Sequence, residues 1–254
     1  GHMKHILAQA NVDVLRQLAW ARVLLGFDFD GTLAPIVTDR DGARMRARTG
    51  RLLTRACGLY PCAVISGRGQ NDVAKRLGGA PARYIVGNHG LEPGAGIEAF
   101  AAEVDAARAR LEAALGHLGG VEIEDKRYSL AIHYRGARRP RLAREAIHDA
   151  VRALPVAMRL VAGKMVVNVV PARAPNKGDA LLLLREKAGA DTALYVGDDV
   201  TDEDVFELDQ PGRLLTIRVG ESSTSAASYF LRTQAEIDVL LTTLIQLRER
   251  GAST

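Results

Sequence analysis

Hydrophobic positions along this chain fall into two kinds of run. Continuous apolar stretches at Val23-Leu24-Leu25-Gly26-Phe27, Ala63-Val64-Ile65 and Ala193-Leu194-Tyr195-Val196-Gly197 read as strands buried on both faces, as in a parallel sheet. Between the second and third of these the periodicity changes. Residues 101–118 read as an amphipathic helix with Val104, Ala107, Leu111, Ala114, Leu115 and Leu118 on one stripe. Residues 121–124 and 128–135 alternate as half-buried strands, and a second helix runs roughly over 141–153. Residues 156–161 and 165–170 then flank Ala162-Gly163-Lys164, a short turn with hairpin chemistry. The pattern predicts an α/β protein with a Rossmann-like, mainly parallel core over residues 4–98 and 172–254. A smaller αββαββ cap domain, residues 99–171, is inserted into it.

Acids stand where the core strands end. Asp28-Phe29-Asp30-Gly31-Thr32 follows the first strand, in the crevice where open α/β sheets bind ligands. Strand alternation points Asp28 and Asp30 one way and Phe29 the other. Asp198-Asp199 follows the third strand and leads into Val200-Thr201-Asp202-Glu203-Asp204. With Thr201 as N-cap, the helix macrodipole accounts for Asp202, Glu203 and Asp204. It does not account for Asp198 and Asp199, which precede the cap. If the two strand tips are neighbours, each carboxylate pair at ~4 Å repels by ~4 kcal/mol at an effective dielectric near 20. A hard divalent cation with oxygen ligands, Mg²⁺, removes that conflict.

Two further pieces suit a phosphate. Ser66-Gly67-Arg68-Gly69 ends the second strand just before a helical segment over 70–77, so a hydroxyl and free backbone N–H groups meet at a helix N-terminus. Lys177 opens another helical segment, over 179–187. A lysine there opposes the dipole, and pairing with an anion explains it better than a purely structural role.

Composition narrows little. The 254 residues are 47% hydrophobic and 25% charged with a net charge of +4, as in an ordinary globular protein. Arg44, Arg46, Arg48 and Arg51 read as the solvated face of one helical stretch, without the interleaved aromatics of a nucleic-acid surface. No run approaches the ~18 apolar residues of a membrane span. Cys57 and Cys62 match no zinc spacing, which favours a reduced, cytoplasmic protein. Gly1-His2-Met3 reads as a remnant of tag cleavage and is set aside.

Taken in order, DFDGTLAP, ISGR, NKG and GDDVTDED resemble the four motifs of the haloacid dehalogenase superfamily of phosphotransferases. The resemblance implies that Asp28 attacks phosphorus to form an aspartyl-phosphate, and that Asp30 acts as acid and then base, oriented by Thr32. Ser66 and Lys177 would hold phosphate oxygens. Asp28, Asp198 and the backbone carbonyl of Asp30 would bind Mg²⁺, supported by Asp199 or Asp202. An acid at position 30 favours ester hydrolysis or phosphomutase chemistry over dehalogenation. GNHGLE before the cap and EDKRYS leading into His133-Tyr134-Arg135 resemble the trehalose-6-phosphate phosphatases. That likeness implies a small sugar phosphate as substrate and a role in trehalose biosynthesis. Glu124 and Lys126 would contact sugar hydroxyls, with Arg68, Asn88 and His89 beside the site. His133 and Arg135 read as solvated or structural. Where that family carries Gly-Lys-x-Val-x-Glu, this chain has Gly163-Lys164-Met165-Val166-Val167-Asn168. Asn168 still hydrogen-bonds hydroxyls but lacks the charge that roughly doubles such bonds, so the sugar's identity stays open. Another sugar-phosphate phosphatase, a phosphomannomutase-like enzyme and a non-catalytic sugar-phosphate sensor are the alternatives; a monomer is compatible with all.

Overall fold

The computed structural model describes residues 2–94 and 96–252. The chain divides into two compact units, one formed up to Pro93 and again from Pro175, the other by Gly94–Ala174. The first opens with β1 (Lys4–His5), α1 (Val12–Leu18), β2 (Val23–Phe27), α2 (Ala47–Leu59), β3 (Cys62–Ile65), α3 (Gln70–Arg76) and β4 (Tyr84–Val86). The second unit comprises α4 (Ile97–Leu115), β5 (Glu122–Asp125), β6 (Leu130–His133), α5 (Pro140–Arg152), β7 (Met158–Gly163) and β8 (Val166–Pro171). The chain then completes the first with α6 (Lys177–Lys187), β9 (Thr192–Gly197), α7 (Glu203–Phe206), β10 (Leu214–Val219), β11 (Tyr229–Leu231) and α8 (Ile237–Ala252).

The seven strands of the first unit form one sheet in the order β1-β11-β10-β9-β2-β3-β4, parallel at every pairing. β2 and β9 are buried along their whole length, which is why their apolar runs are unbroken. Alternation divides their side chains between two layers. Leu25 and Phe27 pack with Leu15, Leu53 and Leu241 of α1, α2 and α8. Leu24 and Tyr195 pack on the other face with Leu181 of α6 and Phe206 of α7. Residues 24, 26 and 28 therefore look toward α6. Strand order reverses at β2: β3 and β4 extend one side, β9 to β11 the other. The tips of β2, β3 and β9 meet at that switch point, where such sheets take ligands.

In the second unit, β5-β6-β8-β7 form an antiparallel sheet. One face packs on α4 through Val104, Ala107, Leu111 and Leu115 and on α5 through Ala143, Ile147 and Val151, rows set by the helical i, i+4 spacing. Pro140 stands at the first position of α5, where its missing N–H costs nothing.

Some boundaries differ from the sequence reading. α4 starts four residues early, at Ile97. The β7–β8 turn lies at Lys164-Met165 rather than Ala162–Lys164, because Gly163 still pairs with Val166 and Met165 takes the positive φ of 56°. The arginine stretch is helical only from Ala47. Arg46, just before it, reaches Asp238 of α8 at 2.5 Å and is not a solvated helix residue. No helix of the described residues is long and apolar enough to cross a membrane.

Candidate active site

Asp28 extends β2 by one rung, its N–H donating to Val196 O at 2.9 Å, and is buried. Its Oδ1 accepts the Phe29 N–H at 2.7 Å, and its Oδ2 lies 3.2 Å from Lys177 Nζ. Lys177 can stand there because Asn176 caps α6 in a reciprocal capping box with Asp179, which aims the first helical side chain up at the strand tips. The same ammonium, wholly buried, reaches Asp202 Oδ1 at 3.0 Å. Asp198, at the tip of β9, accepts the Thr32 hydroxyl at 3.3 Å. Oxygens of Asp28, Asp198 and Asp202 lie within 4.8 Å of one another, the one such grouping of acids, histidines or cysteines among the described residues.

Glycines make this crowding possible. Gly31 has φ +78°, and a Cβ there would sit 2.0 Å from Asp198 Oδ2. A Cβ on Gly197 would meet Asp202 Cγ at 2.3 Å, so the chain folds back over that residue and drives Asp202 into the core. There Asp202 Oδ1 also accepts the Tyr195 hydroxyl at 2.6 Å, and Oδ2 accepts the Asp198 and Asp199 N–H groups at 3.0 Å each. Asp202 is thus not an ordinary first-turn acid. Thr201 is not the cap either: Asp199 caps this turn, its Oδ1 accepting the Val200 N–H at 2.7 Å. Asp199 is exposed and stands outside the cluster.

The charges do not balance. Burial, with Asp202 alongside, pushes the Asp28 carboxyl well above the usual range despite Lys177. Burial, Asp202 and Asp199 push Asp198 up to about 7. Burial works against the Lys177 ammonium, yet Asp202 and Asp28 hold it firmly charged. Burial likewise opposes charge on Asp202, but Lys177 keeps it ionised. Three acids share one cation, so the surplus negative charge falls on Asp28 and Asp198.

Those two fit a hard cation. Both are oxygen donors at adjoining tips, whereas each oxygen of Asp202 already accepts two hydrogen bonds. Of the two candidates for supporting the metal, Asp199 is turned out and Asp202 is taken up with Lys177.

Asp30 turns elsewhere. β2 ends at Phe27, and the Phe29–Ala34 turn carries the Asp30 carboxylate to Arg68, whose Nε and Nη2 donate to it at 2.7 and 2.8 Å. Thr32, expected to orient Asp30, donates instead to Asp198. Ser66, at the tip of β3, accepts the Arg68 N–H on Oγ at 3.0 Å and the His89 N–H on its carbonyl at 2.9 Å. Asn88 and His89 both have positive φ, 47° and 59°. The Asn88 amide donates to Glu92, whose Oε1 also accepts Gln70 N–H and so caps α3. The His89 ring lies against Gly67. Asn88 and His89 therefore brace the Ser66–Arg68 turn.

Glu124, Lys126 and Asn168 belong to the second unit. Glu124, Ala131 and Asn168 occupy one cross-strand row, on the face opposite the helices. Glu124 Oε1 lies 2.9 Å from His133 Nε2, and Asn168 donates to Val161 O at 3.3 Å. Sequence reasoning missed Tyr195, Glu92 and Gly197. Each looks like an ordinary core, turn or strand residue until the fold brings its partner near.

The sheet order and the chemistry at its strand tips place the fold in the haloacid dehalogenase superfamily. The family model for trehalose-phosphatase matches residues 26–235, and the chain belongs to that family. A trehalose-phosphate phosphatase of Mycobacterium avium (strain 104) is 36% identical over 246 residues, covering 89% of this chain and 62% of that protein. This chain therefore spans 62% of the length of that curated relative. The Aspergillus fumigatus trehalose-6-phosphate phosphatase structure (crystal form 3) is 26% identical, with a TM-score of 0.68 over 97% of this chain and 99% of that one. The C-terminal domain of C. albicans trehalose-6-phosphate phosphatase, 23% identical over 97% and 99%, shares the fold at a TM-score of 0.74.

Proposed function

We propose that this protein is a Mg²⁺-dependent phosphatase that hydrolyses trehalose 6-phosphate to trehalose and phosphate through an aspartyl-phosphate on Asp28. The observation that carries this reading is the buried Asp28 carboxylate, 3.2 Å from Lys177 and grouped with Asp198 at the neighbouring tip. Asp28 attacks phosphorus with one oxygen. The bond from phosphorus to the sugar oxygen breaks, its electron pair stays on that oxygen, and Asp30 supplies the proton. A water then gives a proton to Asp30 and attacks phosphorus, and the acyl-phosphate electrons return to Asp28. Dividing one hard displacement into two covalent steps suits a carboxylate nucleophile.

The Ser66 hydroxyl and the Lys177 ammonium hold phosphate oxygens in this scheme, and Asp202 with Tyr195 keeps Lys177 aimed. Asp28, Asp198 and the Asp30 carbonyl would hold Mg²⁺. Bound there, the ion neutralises carboxylate and phosphate charge, so that an anionic nucleophile can approach an anionic ester. Residues 99–171 act as the cap that reads the sugar, through Glu124, Lys126 and Asn168. The names of the relatives support trehalose 6-phosphate as the sugar phosphate, and the reaction would then be a step of trehalose biosynthesis. Phosphate release across a panel of sugar phosphates, with and without Mg²⁺, tests the reading. Trehalose 6-phosphate should lead the panel and turnover should need the ion. Release that is equal without Mg²⁺ contradicts it.

A further inference from the structure

Arg68 is heavily engaged, and its bonds leave no two-donor edge for a ligand to grip. A guanidinium has five N–H donors in a fixed fork. Four are committed: Nε to Asp30 Oδ2 at 2.7 Å, Nη2 to Asp30 Oδ1 at 2.8 Å and to Arg40 O at 2.6 Å, and Nη1 to Asp72 Oδ2 at 3.2 Å. The side chain is 4% exposed, while Asp30 and Asp72 are 35% and 44% exposed. A buried cation thus sits between two carboxylates that solvent can reach. Asp72 is itself fixed from the far side, its Oδ1 accepting Arg76 Nε at 2.7 Å. Arg76 Nη1 donates in turn to Asp41 O and Ala43 O at 3.0 and 2.7 Å. Two arginines sharing one aspartate therefore tie the Arg40–Ala43 segment, which follows the Asp28–Ala34 turn, to α3 and to Asp30.

We propose that Arg68 is the positioning residue of Asp30, held in place by Asp72, Arg76 and the Arg40–Ala43 segment, and not a contact for the sugar or its phosphate. This rests on the assignment of Asp30 as the group that protonates the leaving oxygen. In that step the electron pair of the breaking bond stays on the sugar oxygen while the proton leaves Asp30. The fork on Arg68 decides where the carboxyl sits for that transfer. A sugar alkoxide is a poor leaving group and depends on the proton. A nitrophenolate leaves without it and is indifferent to the placement of Asp30. Asp72 touches no reacting atom, so any effect of changing it travels through Arg68 directly or through Arg76 and the Arg40–Ala43 segment that Arg68 also bonds.

The test is steady-state kinetics with Mg²⁺ on trehalose 6-phosphate and on p-nitrophenyl phosphate. Proteins compared are the wild type, Arg68→Lys, Asp72→Asn, Asp30→Asn and the Asp30→Asn/Arg68→Lys double variant. Lysine keeps the charge but cannot form the fork. Arg68→Lys should lower kcat on the sugar phosphate by ~30- to 100-fold, somewhat less than loss of a general acid outright, while kcat on the aryl ester falls less than ~5-fold. KM should stay within about threefold, which separates lost transition-state chemistry from lost binding. Asp72→Asn, in a partly exposed and tolerant position, should show the same selectivity at about fivefold. In the Asp30→Asn background Arg68→Lys should add nothing, since both act on one step.

A raised KM with kcat preserved would make Arg68 a substrate contact. Equal losses on both substrates, or a further loss in the Asp30→Asn background, would make its role merely structural. Either result overturns the proposal. If the wild type prefers another sugar phosphate, the same ratio is read on that ester. A wild type that turns over neither kind of ester refutes the phosphatase assignment itself, a failure distinguishable from the others.

Discussion

The tips of β2 and β9 and the face of the β5-β6-β8-β7 sheet away from its own helices both carry polar residues, under opposite conditions. At the tips, Asp28, Lys177 and Asp202 are almost fully buried, and each is tied to at least one of the others. On the sheet, Glu124 is exposed beside His133, and Asn168 is half-buried on a backbone carbonyl. The first region cannot change one residue without stranding another charge in a low dielectric. The second can exchange residues at little cost to folding, because exposed pairs are worth under ~1 kcal/mol. The tips thus hold charges that depend on one another, and the sheet holds polar groups that can be replaced singly. That contrast is why position 168 tolerates exchange of its side chain, while Asp28, Lys177 and Asp202 at the tips do not.

The sharpest way to break the comparison is at the nucleophile. Asp28→Asn keeps size and packing but removes the attacking charge, and turnover of any phosphate ester should fall at least ~10⁴-fold. A sensor would keep its ligand response in this variant. Next comes Lys177→Met, which leaves Asp28 and Asp202 buried without their cation. Denaturant unfolding should show a loss of ~3–5 kcal/mol, as for one partner of a buried ion pair. The equivalent change on the sheet, Glu124→Gln, should alter stability by no more than about 0.5 kcal/mol.

A smaller effect comes from the surplus negative charge. The Asp198 carboxyl is pushed up to about 7, so between about pH 4 and 7 the folded metal-free protein retains a proton that the unfolded chain has lost. Its unfolding free energy should therefore fall as pH rises through that window. Relative to Asp198→Asn, the fall should be on the order of 1–2 kcal/mol, since a tenfold change in proton affinity is worth about 1.4 kcal/mol and solvent screens part of the interaction. Mg²⁺ should raise Tm more near pH 8 than near pH 5, and Asp198→Asn should shrink that difference, leaving the part that comes from Asp28. A rise equal at both pH values would mean that these carboxylates do not hold the ion. Smallest of all is Asn168→Glu, which should lower KM for trehalose 6-phosphate about three- to tenfold through a charge-assisted bond, leaving aryl phosphate kinetics unchanged.

Much of the core was legible because a strand buried on both faces writes a continuous apolar run, and a charge just past it must lie at the strand tip. Asp28, Ser66 and Asp198 could be placed on that basis. β1 and β11, with two and three residues, are too short to show any period. Asp202 read as an acid at a helix start because nothing local reveals that the chain doubles back over Gly197. Thr32 and Asp30 were misdirected for a related reason. Strand alternation stops at Phe27, and the Phe29–Ala34 turn decides where both side chains go. The i, i+4 spacing of Arg68 and Asp72 lay open to reading, but the link to Asp30 crosses 38 residues of sequence and appears only in the fold.

The central question is whether Asp28 itself becomes phosphorylated. Rapid acid quench of the enzyme turning over trehalose 6-phosphate with Mg²⁺, followed by mass spectrometry of the peptide containing residue 28, measures that directly. A phosphoryl group should be found on Asp28, removable by hydroxylamine and missing in Asp28→Asn. Full turnover with that peptide unmodified, or turnover surviving Asp28→Asn, would contradict the aspartyl-phosphate route.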